Sequence, residues 1–160
     1  MIRPGTPQDA RFLRDMLRHA YYWRSSGDED ETGLHPMRYV ENWGRPGDAA
    51  VIALDDGFPV GAAWYRLFKQ SAPGYGFVDE QTPELSIAVV PSRRGRGFGD
   101  ELLRALMDRA RLEGYTALSL SVERENPALK LYERFGFRPV EERGDTLVMR
   151  ADLRDSPTST

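Results

Sequence analysis

The sequence predicts one α+β or α/β unit built on a mixed sheet, and three observations predict it. The chain has 160 residues, about the size of one domain and enough to bury a core. It is 40% hydrophobic, 11% aromatic and 29% charged, the composition of an ordinary globular protein rather than a disordered one. Apolar residues at helical spacing and alternating strand-like runs follow one another, with no internal repeat and no interdomain linker. Residues 1–154 read as this single domain, and 155–160 as a disordered tail.

After an opening strand from Ile2, Thr6 and Pro7 make an N-cap and a first-turn proline. Ala10, Phe12, Leu13, Met16, Leu17, Ala20 and Tyr21 then recur at helical spacing, which predicts a helix over about 7–23. A polar, acidic loop runs from Arg24 to Pro36, and Met37 to Trp43 suits a short second helix ending at Gly44. Ala49 to Leu54, the turn Asp55-Asp56-Gly57 and Val60 to Phe68 read as a hairpin, its Asp-Gly step tolerating positive φ. A loop over Lys69 to Pro83, with two glycines and two prolines, leads to a strand from Glu84 to Val90.

Phe98, Leu102, Leu103, Leu106, Met107 and Ala110 share one face of a predicted helix over 98–113, with Gly114 as its stop. Tyr115 to Glu123 alternates apolar residues with serines, as a strand does. Asn126 caps and Pro127 opens a helix through Leu131, Tyr132 and Phe135 to Gly136. Strands around 137–142 and 146–150, joined at Gly144, close the chain.

Twenty-two basic against 25 acidic residues give a formal charge of −3, so no positive field gathers nucleic acid or anionic lipid. Any anion site must be local. Zero cysteines exclude a disulfide framework, a thiolate zinc site and a cysteine nucleophile. The longest apolar run, Ala49 to Leu54, is far short of the roughly 20 residues of a membrane span. Arg3, Asp9, Arg11, Arg14 and Asp15 interrupt the N-terminus too early for a secretory h-region. The expectation is a cytoplasmic protein with no nucleic-acid or membrane partner and no metal. His19 and His35 are the only histidines and fall on different elements, and the acidic run from Asp28 reaches Tyr39 where a calcium loop needs its chelating glutamate.

The chemistry concentrates in Val90-Pro91-Ser92-Arg93-Arg94-Gly95-Arg96-Gly97-Phe98-Gly99, between a predicted strand and an amphipathic helix. Three glycines let the backbone approach a bulky anion, the first helical turn offers unpaired N–H groups, and Arg93, Arg94 and Arg96 add charge. These features suit a pyrophosphate cradle, against the plainer reading of a tight turn with solvated arginines. Gly99-Asp100-Glu101 replaces the Gly-Lys-Ser/Thr of a Walker loop, the glycine spacing does not match a dinucleotide fingerprint, and no serine sits in a G-x-S-x-G elbow.

Read as R-x-x-G-x-G, Arg94, Gly97 and Gly99 resemble the acetyl-CoA pyrophosphate motif of the GNAT acyltransferase superfamily. Asn126-Pro127-Ala128, Leu131-Tyr132-Glu133 and Phe135-Gly136-Phe137 resemble the second signature of that superfamily, N-x-x-A-x-x-L-Y-x-x-x-G-F, with the alanine one position early. The element order is similar over Ile2 to Arg150. The resemblance implies the GNAT fold: a mixed, mostly antiparallel central sheet of six to seven strands flanked by about four helices, the fourth and fifth strands splayed around the pantetheine arm.

It also implies a direct N-acetyl transfer from acetyl-CoA to a small-molecule or peptide amine in a ternary complex, with no metal. Arg93, Arg94, Gly95, Arg96, Gly97, Phe98 and Gly99 would hold the pyrophosphate, and the backbone of Ile87, Ala88 and Val89 would polarise the thioester carbonyl. Asn126 divides between helix cap and cofactor contact. Tyr132 would protonate the leaving thiolate or orient the thioester, although spacing alone suits a core aromatic. Glu84 would take the proton of the incoming ammonium, with Glu80 or Glu123 as substitutes and a solvated strand-edge glutamate as the alternative. A non-catalytic acyl-CoA sensor on the same fold is the second reading, and a homodimer is left open.

Overall fold

The computed structural model describes residues 1–21 and 36–154. Tyr22, Trp23, the acidic run from Asp28, His35 and the tail at 155–160 lie outside the described residues. Seven strands form a sheet in the order β1-β2-β3-β4-β5-β7-β6: β1 (Ile2–Pro4), β2 (Ala49–Asp55), β3 (Phe58–Arg66), β4 (Glu84–Val89), β5 (Ala117–Glu123), β6 (Arg138–Arg143) and β7 (Thr146–Asp152). The pairs β1–β2, β2–β3, β5–β7 and β6–β7 are antiparallel, and β4 runs parallel to β5 in register at Glu84↔Ser119. The sheet is thus mixed and mostly antiparallel, as expected. The α-helices among the described residues are α1 (Ala10–Tyr21), α2 (Phe98–Leu112) and α3 (Leu129–Arg134), with short 3₁₀ turns at Pro7–Asp9, Pro36–Tyr39 and Pro91–Arg93. The residues fall into two compact units, Met1–Arg66 with Ser86–Leu106, and Leu67–Leu85 with the chain from Met107 onward.

In the first unit the α1 face Leu13, Met16 and Leu17 is buried, as are Ile52, Ala62, Trp64 and the α2 residues Leu102, Leu103 and Leu106. The hairpin turn is tighter than the sequence suggested. Asp56 (φ 53°) and Gly57 (φ 83°) form a two-residue loop of the type I′ kind, so pairing resumes at once with Asp55↔Phe58. This moves β3 two residues earlier than expected, and it ends at Arg66. The Arg66 guanidinium is buried in a bidentate pair with Asp48, Nε donating at 2.9 Å and Nη2 at 2.8 Å.

That same Asp48 corrects a second expectation. The helix read over Met37 to Trp43 is only the 3₁₀ turn Pro36–Tyr39. Asn42 is left-handed (φ 52°), and the Gly44 and Arg45 amides donate to Asp48 Oδ2 rather than continuing a helix. At the N-terminus the helical run likewise opens as a 3₁₀ turn, where Asp9 accepts from the Thr6 amide and both Arg3 terminal nitrogens, before α1 begins at Ala10.

The second unit buries Leu118, Leu120, Val122, Leu147, Val148 and Met149. Strand β6 is exposed along its length at the sheet edge, where charges and a bulge between Pro139 and Glu141 blunt further pairing. No helix of the described residues is long and apolar enough to cross a membrane.

Candidate functional site

In the first unit, β4 delivers the chain through the Pro91–Arg93 turn into the glycine loop. Gly95 (φ 77°) and Gly97 (φ 87°) are both left-handed, a backbone that side chains with a Cβ adopt only under strain. A Cβ on either would meet nothing within 4 Å, so the loop surface there is open. The first intrahelical bond of α2 is Glu101 N to Gly97 O at 3.2 Å. The amides of Phe98, Gly99 and Asp100 therefore precede the hydrogen-bonded ladder, at the positive end of a 15-residue helix. Ile87, Ala88 and Val89 lead directly into this loop from β4, so these ten predicted cofactor residues fall on one strand–loop–helix segment.

The arginines are already engaged. Arg93 Nε donates to Asp55 Oδ2 at 2.7 Å, Arg96 Nη1 lies 3.6 Å from the same oxygen, and Arg94 Nε donates to the Val89 carbonyl at 3.2 Å. The Arg96 guanidinium also stands 5.9 Å over the Phe98 ring. His19 is half-buried, and burial together with the positive charge of Arg94 lowers its pKa below the usual imidazole value. A cavity of about 530 Å³ in this unit is lined by Met1, Leu54, Asp55, Asp56, Gly57, Arg96, Phe98 and Glu101. Three carboxylates against one guanidinium make it a poor host for a polyphosphate.

The second unit holds Tyr132, Asn126 and Glu84. Tyr132 is fixed by the end of its own helix. The Phe137 amide donates to Tyr132 O and the Gly136 amide to Glu133 O, both at 3.1 Å, with Gly136 left-handed at φ 92°. This is the Schellman pattern, and its usual hydrophobic contact is made by the Tyr132 and Phe137 rings, edge to face with centroids 6.0 Å apart. The spacing Tyr-x-x-x-Gly-Phe is thus a helix stop that locks the tyrosine ring in place. Burial pushes the Tyr132 phenol well above its ordinary range.

Asn126 does not cap α3 directly. The helix starts at Leu129 with Ala128 at the cap position. Pro127 and Ala128 form a turn in which Asn126 Oδ1 accepts the Ala128 amide at 2.9 Å, a local bond that competes with helix and delays its start. Phe137, expected to open a strand, is consumed by the helix stop, so β6 begins at Arg138.

Glu84 is not the solvated edge residue of the alternative reading. It is 2% exposed, and its Oε2 accepts the Gly76 amide at 2.9 Å. Gly76 has no room for a side chain, since a Cβ would lie 2.5 Å from the Leu120 carbonyl carbon of β5. Ser119, the register partner of Glu84, is fully buried and its hydroxyl makes no hydrogen bond within the described protein. Of the substitutes, Glu80 accepts the Gln70 amide on an exposed turn, and Glu123 ends β5 opposite Thr146. Tyr39, Trp64 and Tyr75 are buried; the Trp64 Nε1 donates to Tyr39 O at 3.1 Å. Among the described residues no group of three or more His, Asp or Glu side chains is placed to hold a metal.

Sequence reasoning missed Asp55 and Gly76. Asp55 carries the signature of a turn residue, and its pairing with Arg93, 38 positions away, leaves no local trace.

Comparison with known proteins agrees with this geometry. The family model described as "Acetyltransferase (GNAT) family" matches residues 11–137. An L-2,4-diaminobutyric acid acetyltransferase from Nocardia farcinica is 31% identical over 114 residues, covering 68% of this chain and 53% of that protein. The chain thus spans about half the length of that curated relative. Among solved structures, a ribosomal-protein-alanine N-acetyltransferase from Brucella melitensis superposes with a TM-score of 0.68 at 26% identity, covering 95% of this chain and 99% of the other. A phosphinothricin acetyltransferase from Sinorhizobium meliloti, solved in complex with acetyl-CoA, shares the fold at a TM-score of 0.66 and 21% identity, over 96% and 88% of the two chains. With the family model spanning most of its length and a glycine-arginine loop opening α2, the chain belongs to the acetyltransferase (GNAT) family.

Proposed function

We propose that the chain is an acetyl-CoA-dependent N-acetyltransferase, cytoplasmic, acting on a small-molecule or peptide amine by direct transfer in a ternary complex. The observation that carries this reading is the pair of left-handed glycines, 95 and 97, immediately before the first turn of α2. Backbone donors, a helix dipole and three arginines suit a pyrophosphate, the group that distinguishes CoA from a simple thioester. Acetyl-CoA supplies an activated acyl carbon and a thiolate leaving group.

The residues of this chain do the rest. The loop and the backbone of Ile87, Ala88 and Val89 hold and polarise, so that much of the rate comes from orientation. The acceptor nitrogen forms its bond to carbon as the carbon–sulfur bond breaks, and the second proton it sheds on becoming an amide passes to the departing thiolate, giving CoA thiol. Glu84, its carboxylate fixed by the Gly76 amide, takes the ammonium proton. Tyr132 donates a hydrogen bond to the sulfur. With its phenol raised above the ordinary range and a thiol near 8.5, it stabilises the thiolate while keeping its own proton. A chain with no cysteine has no cysteinyl acyl intermediate to pass through.

The test is calorimetric titration with acetyl-CoA, followed by release of free CoA thiol across a panel of amines, amino acids and peptides. Binding with turnover is expected. Gly97→Val imposes a branched side chain on a φ of 87° and should weaken acetyl-CoA binding by about a hundredfold or more while the fold survives. Unchanged affinity in the folded variant overturns the loop assignment, and tight binding with no turnover on a broad panel favours the sensor reading.

A further inference from the structure

Two of the three loop arginines are held by an acid from another element. Asp55 ends β2, beside the tight hairpin turn, and its carboxylate meets Arg93 at 2.7 Å and Arg96 at 3.6 Å. Every partner is partly open to solvent, with side-chain exposures of 36% for Arg93, 55% for Arg96 and 27% for Asp55. Such pairs exchange readily with competing ions. The hairpin does not depend on them, because the Asp56-Gly57 turn and the Asp55↔Phe58 pairing are backbone features. Arg94 differs: it donates to a neutral carbonyl, and among the described residues no carboxylate pairs with it.

We infer that Asp55 is a built-in competitor for the anion of the loop, a carboxylate that occupies Arg93 and Arg96 when no phosphate is bound and so sets how tightly CoA is held. The inference rests on the loop reading of the preceding section. A bound pyrophosphate needs the same guanidinium N–H groups and places like charge beside Asp55, so each anion weakens the hold of the other. Asp56 and Glu101, which line the same cavity as Asp55, add to the negative side of this balance. Arg94, which no carboxylate of the described residues holds, is the cation that meets the phosphate first. Because the competition acts equally on acetyl-CoA and on product CoA, Asp55 trades ground-state affinity for faster product release.

The experiment is titration of the full chain with acetyl-CoA and, separately, with CoA, at low and at physiological salt, for wild type, Asp55→Asn and Asp55→Glu. Asparagine keeps an oxygen for Arg93 and removes only the charge. It should tighten both ligands by about three- to tenfold, more at low salt, and lower KM without raising kcat. Glutamate restores the charge and should return affinity to within about twofold of wild type. Unchanged or weaker binding by Asp55→Asn, with wild type binding normally, overturns the inference; weaker binding means that Asp55 positions the arginines instead. If Asp55→Asn lowers thermal stability markedly, Asp55→Ser gives the same comparison, and loss of affinity there counts against the inference equally. No binding by wild type overturns the loop reading itself, and the inference with it.

Discussion

Two aspartate–arginine pairs in the same unit show how burial changes what one chemistry does. Asp48 and Arg66 are 2% and 1% exposed, joined by two parallel bonds, and bound further to the Arg38 carbonyl and the Gly44 and Arg45 amides, with the Trp43 ring 5.5 Å from the guanidinium. Asp55 and Arg93 share a single short bond at the surface. The first pair is scaffold: it fixes where β3 ends and where the chain before β2 turns. The second is an exchangeable contact, in reach of any anion that visits the loop. The same division separates the candidate site groups, since Tyr132 and Glu84 are buried whereas Arg94, Gly95, Arg96 and Gly97 are exposed.

The largest test of this division is Tyr132→Phe. Phenylalanine keeps the ring against Phe137 and the helix stop, so acetyl-CoA binding should be nearly unchanged while turnover falls by about 10² to 10³ through loss of the hydrogen bond to sulfur. Wild type should lose no activity through ionisation of this phenol up to about pH 10, because its pKa is raised. Full activity in Tyr132→Phe across the pH range would make the tyrosine purely structural.

Next comes the stability contrast between the two aspartates. Asp48→Asn leaves the buried Arg66 charge uncompensated and should cost about 3–5 kcal/mol, a fall in Tm of roughly 6–20 °C. Asp55→Asn should cost less than about 1 kcal/mol. Thermal melts of the two variants side by side check this, and equal losses would erase the distinction between scaffold and exchangeable contact.

The smallest effect belongs to His19. Its folded pKa lies below the unfolded value near 6.5, so the unfolded chain binds the proton first as pH falls. Stability should therefore decline from about pH 6.5 downward, level off below the folded pKa, and shift Tm by on the order of 1 °C relative to His19→Gln. Because Arg94 is one cause of the depression, an anion on the loop should raise the His19 pKa. Proton NMR of the imidazole with and without CoA reads this directly, and no shift on saturation would place the anion elsewhere.

What was legible in the sequence is what is written locally. The glycine loop and α2 were readable because strand, turn glycines and amphipathic face follow one another without interruption from Glu84 to Leu112. The order of Tyr132, Gly136 and Phe137 was readable as a motif, and the structure adds its physical reason, a helix stop closed by two aromatic rings. The extra length expected of the second helix, and the start of α3, failed for one shared cause. Asp48 and Asn126 satisfy nearby amides with side-chain oxygens, and periodicity does not register that competition. The burial of Glu84 was hidden because it depends on Gly76 and on the backbone of Leu120, which reach it only through the fold.

Gly76 has a consequence for how this chain can vary. The segment between β3 and β4 is loop by every local criterion, yet its two halves obey different rules. Around Lys69 to Ala72, where an isolated bridge closes an exposed turn, added or replaced residues have solvent to occupy. At Tyr75 and Gly76 the chain is pressed onto β5, with the Tyr75 carbonyl taken by Arg143 Nη1 at 3.2 Å and the Gly76 amide by Glu84. Length changes and grafted sequences are thus confined to the first half of the segment, while a one-residue shift in the second half would put a side chain into the backbone of a central strand.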